Sequence, residues 1–414
     1  MIGEDVLYLS VRELGDRIRT HRLSPVELTE AYLERSKKYG AQLNAYATLT
    51  PDLALQQARQ AEDEIAKGRY RGPLHGIPYA AKDLLAVKGY PTTWGAKPYQ
   101  NQRFDYNATV INKLNEAGAV LLGKAAMIEL AGGLGYRFAA ASATGAAKNP
   151  WNTNCWTCGS SSGSGAIVAS AMAAFAIGTE TWGSIICPSA FCGVSGLRPT
   201  FGRVGRGGAM ALSMDKIGPM CRTADDCSLV LAAVSGHDPT DAGSLPESQA
   251  RFAYSPPASA LRIASIDKAW EKPDPDVAAA FETALTVLHK AGETMSSVQL
   301  PEGPFEAAGA IVINVEAASA YSTLIESGGV AQLSDPLSRV GGYVAQTVDS
   351  QDFIRAQRIR RVRSRRWTSS SSSAMSWLRP RFPSRRPRSI RISKRTCRSP
   401  IPSAASAISA ACRP

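Results

Sequence analysis

The chain reads as an α/β protein in which helices cover both faces of a sheet, and three observations carry that reading. Capped stretches with a 3.6-residue apolar period alternate along the chain with apolar runs of strand length. Glycine and proline punctuate the boundaries between them. A chain of 414 residues, 44% of them hydrophobic, can also bury a sizeable core, as one large domain or two to three smaller ones at ~150 residues each. No internal repeat interrupts the alternation.

The elements follow in order. Ser24-Pro25-Val26-Glu27 is a capping box with proline at the first helical position. Leu28, Ala31 and Tyr32 continue it as a helical face, predicting a helix to about Tyr39. Thr50-Pro51 starts another helix, with Ala54, Ala58, Ala61 and Ile65 on one stripe and Gly68 as its stop. Residues 77–81, 119–122 and 261–266 have strand length, and a helix bearing Val110, Leu114 and Ala117 ends at Gly118 and leads into the second of them. Residues 166–176 are apolar all round and read as a helix buried in the core. Asp274-Pro275 caps a helix carrying Val277, Phe281, Ala284 and Leu288, closed by Gly292.

Composition narrows the function classes. The start, Met1 to Asp5, has neither a basic nor an apolar export segment, and no run of about 18 apolar residues occurs. A soluble, cytoplasmic protein without a membrane partner is expected. The eight cysteines lie sparsely in apolar or glycine-rich sequence, which fits reduced thiols better than a disulfide framework. The net charge of +12 is concentrated at one end: from Arg355 onward there are 17 Lys and Arg and no acid, leaving 30 basic against 35 acidic residues before it. The body is therefore acidic, and nucleic acid is not the expected partner; no aromatic stacking pattern or binding fold accompanies the basic stretch.

The chemistry lies between Cys158 and Ile185, where a Gly-Ser loop feeds an apolar segment. A helix N-terminus there aims backbone N–H groups at whatever lies beside Ser160 and Ser161. A phosphate loop is disfavoured because no Gly-Lys-Ser/Thr follows. Gly159-Ser160-Ser161-Ser162-Gly163 also matches a nucleophile elbow, with His289 as a triad partner, but the residues before it are turn-forming and not a β-branched run. Cys155, Cys158, Cys187 and Cys192 are four conceivable zinc thiolates, yet one pair overlaps the serine loop and the other lies in apolar sequence. No metal and no cofactor is expected.

Three stretches taken together, "GIPYAAKD" at 76–83, "GSS" at 159–161 and "GTETWGSI" at 178–185, resemble the amidase signature family, serine amidohydrolases with a Ser-Ser-Lys triad. "GLRPTFGRVGRGG" at 196–208 and "DKIGPMCRTADD" at 215–226 are similar to the segments that follow in that family. The resemblance covers roughly residues 8–361. It implies a single α/β/α layered domain with a central mixed sheet, Lys82 as base, Ser160 as bridging serine after a cis peptide, and Ser184 as nucleophile. Backbone N–H groups of Thr181, Trp182, Gly183 and Ser184 would receive the oxyanion, with Gly159 and Ser161 shaping the loop. A lysine can act as base only when neutral, so burial must lower its pKa from ~10.4.

The chain departs from the family at several positions. Trp182 and Ile186 stand where many relatives have Gly and Arg, and Cys158 and Ser162 replace glycines. The substrate implied is a small-molecule amide; the alternatives are the glutaminase-type component of an amidotransferase, or an inactive, C-terminally incomplete member. Oligomeric state stays open, a homodimer included. After about Arg361 the sequence turns abruptly to Arg, Ser, Pro and Ala, as out-of-frame reading of a GC-rich gene would give. Residues 362–414 are thus expected to be a basic tail, disordered or poorly packed, and not an evolved domain.

Overall fold

The computed structural model describes residues 2–253, 262–266, 274–291, 294–299, 302–371 and 376–378. Helices α1 (Val11–Arg19) and α2 (Pro25–Leu43) precede β1 (Tyr46–Leu49), α3 (Pro51–Ala66), β2 (Pro78–Lys82), α4 (Thr109–Glu116) and β3 (Val120–Ala125). A ribbon of β4 (Lys148–Asn149) and β5 (Asn152–Trp156) leads to α5 (Ser162–Ala169), β6 (Phe175–Glu180), α6 (Ile186–Cys192), β7 (Ser195–Gly196), β8 (Lys216–Cys221) and α7 (Ala224–Val234). The remainder is α8 (Glu247–Ala250), β9 (Arg262–Ile266), α9 (Pro275–Lys290), β10 (Thr294–Val298), α10 (Phe305–Ala320), α11 (Ser322–Glu326), α12 (Pro336–Gln346), α13 (Ser350–Ser371) and β11 (Ser376–Leu378).

The central sheet has six strands in the order β1-β3-β2-β6-β8-β7. β2 runs parallel to both β3 and β6, while β1, β8 and β7 enter antiparallel, so the sheet is mixed. Strands β2, β3, β6 and β8 are buried along their whole length, as central strands covered on both faces must be. Any charge they carry is then buried too. The main core draws on α1 to α5, α7 and these strands, and a second cluster joins Leu130 and Leu134 to Tyr321, Leu324 and Ile325 of the later helices.

Sequence periodicity locates most elements. The stripe of α3, Ala54, Ala58, Ala61 and Ile65, is buried, and Gly68 follows at φ +78°. Ser24 caps α2 by accepting from the N–H groups of Val26 and Glu27, both at 3.1 Å. Its hydroxyl turns to Glu62, and the reciprocal capping box forms at Ser10 and Glu13 instead. On α9, Val277, Phe281 and Leu288 are half-buried and Ala284 is exposed; Gly292 lies outside the described residues.

One expectation is corrected. The apolar run 166–176 is not one helix: α5 begins at Ser162 and ends at Ala169, Ala171 turns at φ +52°, and Phe175 opens the central strand β6. An all-apolar run has no period by which a buried helix and a buried strand can be told apart. The expected boundary at 361/362 falls inside α13, whose backbone stays helical to Ser371, and β11 pairs in parallel with β9. The rest of the expected tail, 372–375 and 379–414, lies outside the described residues.

Candidate active site

Three lysines are buried on the central sheet, Lys82, Lys124 and Lys216, and the partners of the first two differ in kind. Lys124, on β3, lies 2.8 Å from the carboxylate of Asp83, both side chains fully buried. This is a charge neutralised by a charge, the arrangement a buried ion requires. Lys82, at the end of β2, meets only neutral oxygens within hydrogen-bond reach among the described residues. Its Nζ is 2.8 Å from Ser160 Oγ, 2.8 Å from Thr179 Oγ1 and 3.4 Å from the Thr179 carbonyl. Burial lowers its pKa to about 7, against an opposing pull from the more distant Asp215 and Glu180.

Ser160 reaches this lysine from the loop between β5 and α5. The Gly159–Ser160 peptide is cis, and the Ser160 carbonyl accepts from the Ile128 N–H at 3.1 Å. Gly159 is required by close packing: a Cβ there would stand 2.7 Å from Ile128 Cγ1. Ser161, the next residue, is fully buried, with its hydroxyl 3.1 Å from the Thr179 carbonyl and accepting from the Thr179 N–H at 3.3 Å. Such a hydroxyl is a brace between loop and strand. With His289 exposed on α9, the nucleophile-elbow arrangement is not formed.

Ser184 sits on the turn between β6 and α6, half-buried. Its carbonyl accepts from the Ser161 N–H at 3.2 Å, which ties the two serine loops together. Among the described residues no hydrogen bond joins the Ser184 hydroxyl to Ser160. Gly183, at φ +103°, makes the turn in a conformation that favours glycine. Among the described residues, the N–H groups of Gly183 and Ser184 have no hydrogen-bond acceptor. Thr181 is held through its hydroxyl by Asp215, and Trp182 is half-buried beside it.

Several site residues escaped the sequence reading. Glu180, fully buried at the end of β6, accepts from the N–H groups of Ile185 at 2.8 Å and Ile186 at 2.9 Å, and its other oxygen lies 2.9 Å from Arg198. It holds the Ser184 turn from below. Thr179 and Asp215 were likewise missed. A charged residue closing an otherwise apolar run, "FAIGTE", was the available signal, since a buried carboxylate needs a partner.

The cysteines require a correction. Cys158 and Cys187 form a disulfide with a Cα–Cα separation of 5.8 Å, although reduced thiols were expected. Chain folding brings the serine loop against the first turn of α6, a proximity that a spacing of 29 residues does not reveal. Cys155, Cys192, Cys221 and Cys227 are free thiols. A four-thiolate zinc arrangement loses two of its ligands to the bond.

A buried central-strand lysine bound to hydroxyls, with two serine-bearing loops tied above it, defines a lysine–serine site on an α/β scaffold. The chain belongs to the amidase family: the family model named Amidase matches residues 27–373. It is 40% identical over 359 residues to a glutamyl-tRNA(Gln) amidotransferase subunit of Geobacter sulfurreducens, covering 86% of this chain and 71% of that protein. It is also 40% identical to the protein of the same name from Methylococcus capsulatus, covering 70% and 60%. Among solved structures, the native peptide amidase of Stenotrophomonas maltophilia superposes with a TM-score of 0.73 at 30% identity, covering 86% of this chain and 79% of that one. The matches thus span 60 to 71% of the length of these two curated relatives. Among the described residues, no helix is long and apolar enough to cross a membrane.

Proposed function

We propose that the protein hydrolyses a small-molecule carboxylic acid amide to the acid and ammonia or an amine, through an acyl-enzyme on Ser184. The observation that carries this reading is the environment of Lys82: a buried amine, held by hydroxyls and lowered to about 7, beside a second buried lysine that does have its carboxylate. A neutral amine has two N–H donors and one lone pair. The Thr179 hydroxyl and carbonyl accept the donors, and the lone pair faces the Ser160 hydroxyl.

Ser184 Oγ attacks the amide carbon, its proton passes to Ser160, and the Ser160 proton passes to Lys82. The N–H groups of Thr181, Trp182, Gly183 and Ser184 receive the developing oxyanion. Lys82 returns its proton through Ser160 to the departing nitrogen as the C–N bond breaks, and water then releases the acid by the same relay. The link between the Ser160 and Ser184 hydroxyls forms when substrate fills the site; catalytic hydrogen bonds commonly tighten only then. We place the protein in the cytoplasm, as a domain over residues 1–361 followed by a basic tail.

A second reading is favoured by the names of the relatives at 40% identity: the glutaminase-type component of an amidotransferase, working with other subunits. Ammonia release by the purified chain, measured with simple aliphatic and aryl amides and with glutamine, separates the two. Hydrolysis of simple amides, with the acyl group trapped on the Ser184 peptide and none on Ser184→Ala, is the expected result. Turnover of glutamine alone, and only with further subunits added, supports the second reading. An acyl adduct on Ser161 defeats the assignment of the nucleophile.

A further inference from the structure

We propose that the Cys158–Cys187 disulfide is a redox lock on this site, in which the oxidised form is active and reduction by a dithiol loosens the two serine loops. Cys158 immediately precedes Gly159 and the cis peptide to Ser160. Cys187 lies in the first turn of α6, where its N–H donates to the Gly183 carbonyl at 2.7 Å. The bond therefore joins the loop that presents the proton relay to the turn that presents the nucleophile, and nothing else in the fold links them covalently among the described residues.

The backbone explains the direction of the effect. Cys158 has φ +66°, in the left-handed region that favours glycine and that other residues leave when free to do so. Of the seven described non-glycine residues at positive φ, Cys158 is the one held by a disulfide. Once the bond is cut, Cys158 relaxes towards negative φ, and the rotation displaces Gly159 and Ser160 from Lys82, whose contact with Ser160 is only 2.8 Å long. A misplacement of that kind costs about ten-fold in rate or more.

The chemistry balances with a dithiol as reductant. Cys158 is partly exposed and Cys187 buried, so a reductant thiolate attacks the Cys158 sulfur, the S–S bond breaks, and Cys187 leaves as a thiolate that takes up a proton. The second reductant thiol then displaces Cys158 as a thiol. Two electrons and two protons reach the protein, and the dithiol becomes a cyclic disulfide. Glutathione disulfide, an oxidant of the opposite class, restores the bond and leaves as two glutathione thiols.

The activity arm of this inference rests on the amidase reading; a structural arm does not. The full chain, oxidised and after dithiothreitol, is mapped for free thiols by alkylation, then compared for hydrogen exchange in residues 159–165 and 181–190 and for amide turnover. Reduction is expected to expose both thiols, speed exchange in both segments, and lower kcat about ten-fold or more, reversibly with glutathione disulfide. Cys158→Gly, which takes positive φ freely, keeps the oxidised rate and ignores reductant, whereas Cys158→Ala behaves as the reduced enzyme without treatment. Unchanged exchange and turnover after proven reduction overturns the lock, as does a failure of Cys158 and Cys187 to pair, or a Cys158→Ala variant equal to the oxidised enzyme. Exchange that responds while neither form cleaves any amide keeps the lock and defeats the amidase reading instead.

Discussion

Lys82 has a folded-state pKa of about 7 against ~10.4 for a free lysine, and two measurable consequences follow with definite signs. In the proposed role of base it works only when neutral, so kcat/KM is expected to rise with pH through about 7 and to level above it; a profile flat from pH 5 to 9 would exclude a lysine base. In stability the lowered value means that the unfolded chain holds a proton the folded chain has lost between about 7 and ~10.4. Over that window this group adds stability as pH rises; below it the burial penalty is fully present. Lys82→Met therefore removes activity by orders of magnitude yet does not lower the thermal midpoint at pH 7, and a large fall in the midpoint would show that the ammonium was stabilising the fold. Ser161 gives the opposite pairing of effects. Its buried hydroxyl braces the Thr179 N–H and carbonyl, so Ser161→Ala is expected to cost about 1–3 kcal/mol of stability while retaining far more activity than Ser184→Ala, as melting curves and turnover of the two variants will decide.

At the scale of elements, the turn that carries Ser184 is held by a fully buried side chain. Glu180 accepts the N–H groups of Ile185 and Ile186, the first free donors of α6, and is itself neutralised by Arg198. Its carboxylate fixes where the turn leaves β6, and through that the Ser184 hydroxyl. Glu180→Gln is expected to lower kcat more than ten-fold with KM changed little, because geometry is lost at the transition state and not in ground-state binding. A rise in KM at constant kcat would instead place Glu180 in substrate binding. The resemblance carried by "GIPYAAKD", "GSS" and "GTETWGSI" singled out Lys82, Ser160 and Ser184 in the sequence, and the fold sets Lys82 Nζ 2.8 Å from Ser160 Oγ. The Glu180–Arg198 pair and the Cys158–Cys187 bond were not legible in the sequence, since each joins segments whose proximity only the sheet order creates. The expected helix over 166–176 failed for a different reason: "AIVASAMAAFA" has no period that tells a helix from a strand, and the turn at Ala171 carries no glycine or proline to announce it.

For the whole molecule, the open question is how the acidic body and the basic end belong together. Residues 379–414 carry ten Lys and Arg and no acid, and lie beyond β11, the last strand paired to β9. The family match ends at 373, twelve residues past the composition break at 361 and two past the end of α13 at Ser371. We propose that the sequence beyond the break arises from a shift of reading frame, in which case its charges were never matched to the body's surface. Removing 379–414 then takes the formal charge from +12 to +2 by deleting ten cations without touching the lysine–serine site. The truncated protein is expected to keep kcat/KM and its thermal midpoint within error, and to lose the salt-sensitive retention on heparin or duplex DNA that ten clustered cations confer without sequence preference. A fall in turnover on truncation, or tail-dependent binding that discriminates one nucleic acid sequence from another, would make this segment a working part of the enzyme. Resequencing the gene across codon 362 gives the independent check: one or two nucleotides restored there should return acidic and periodic apolar residues to a segment, 362–414, that has no acidic residue.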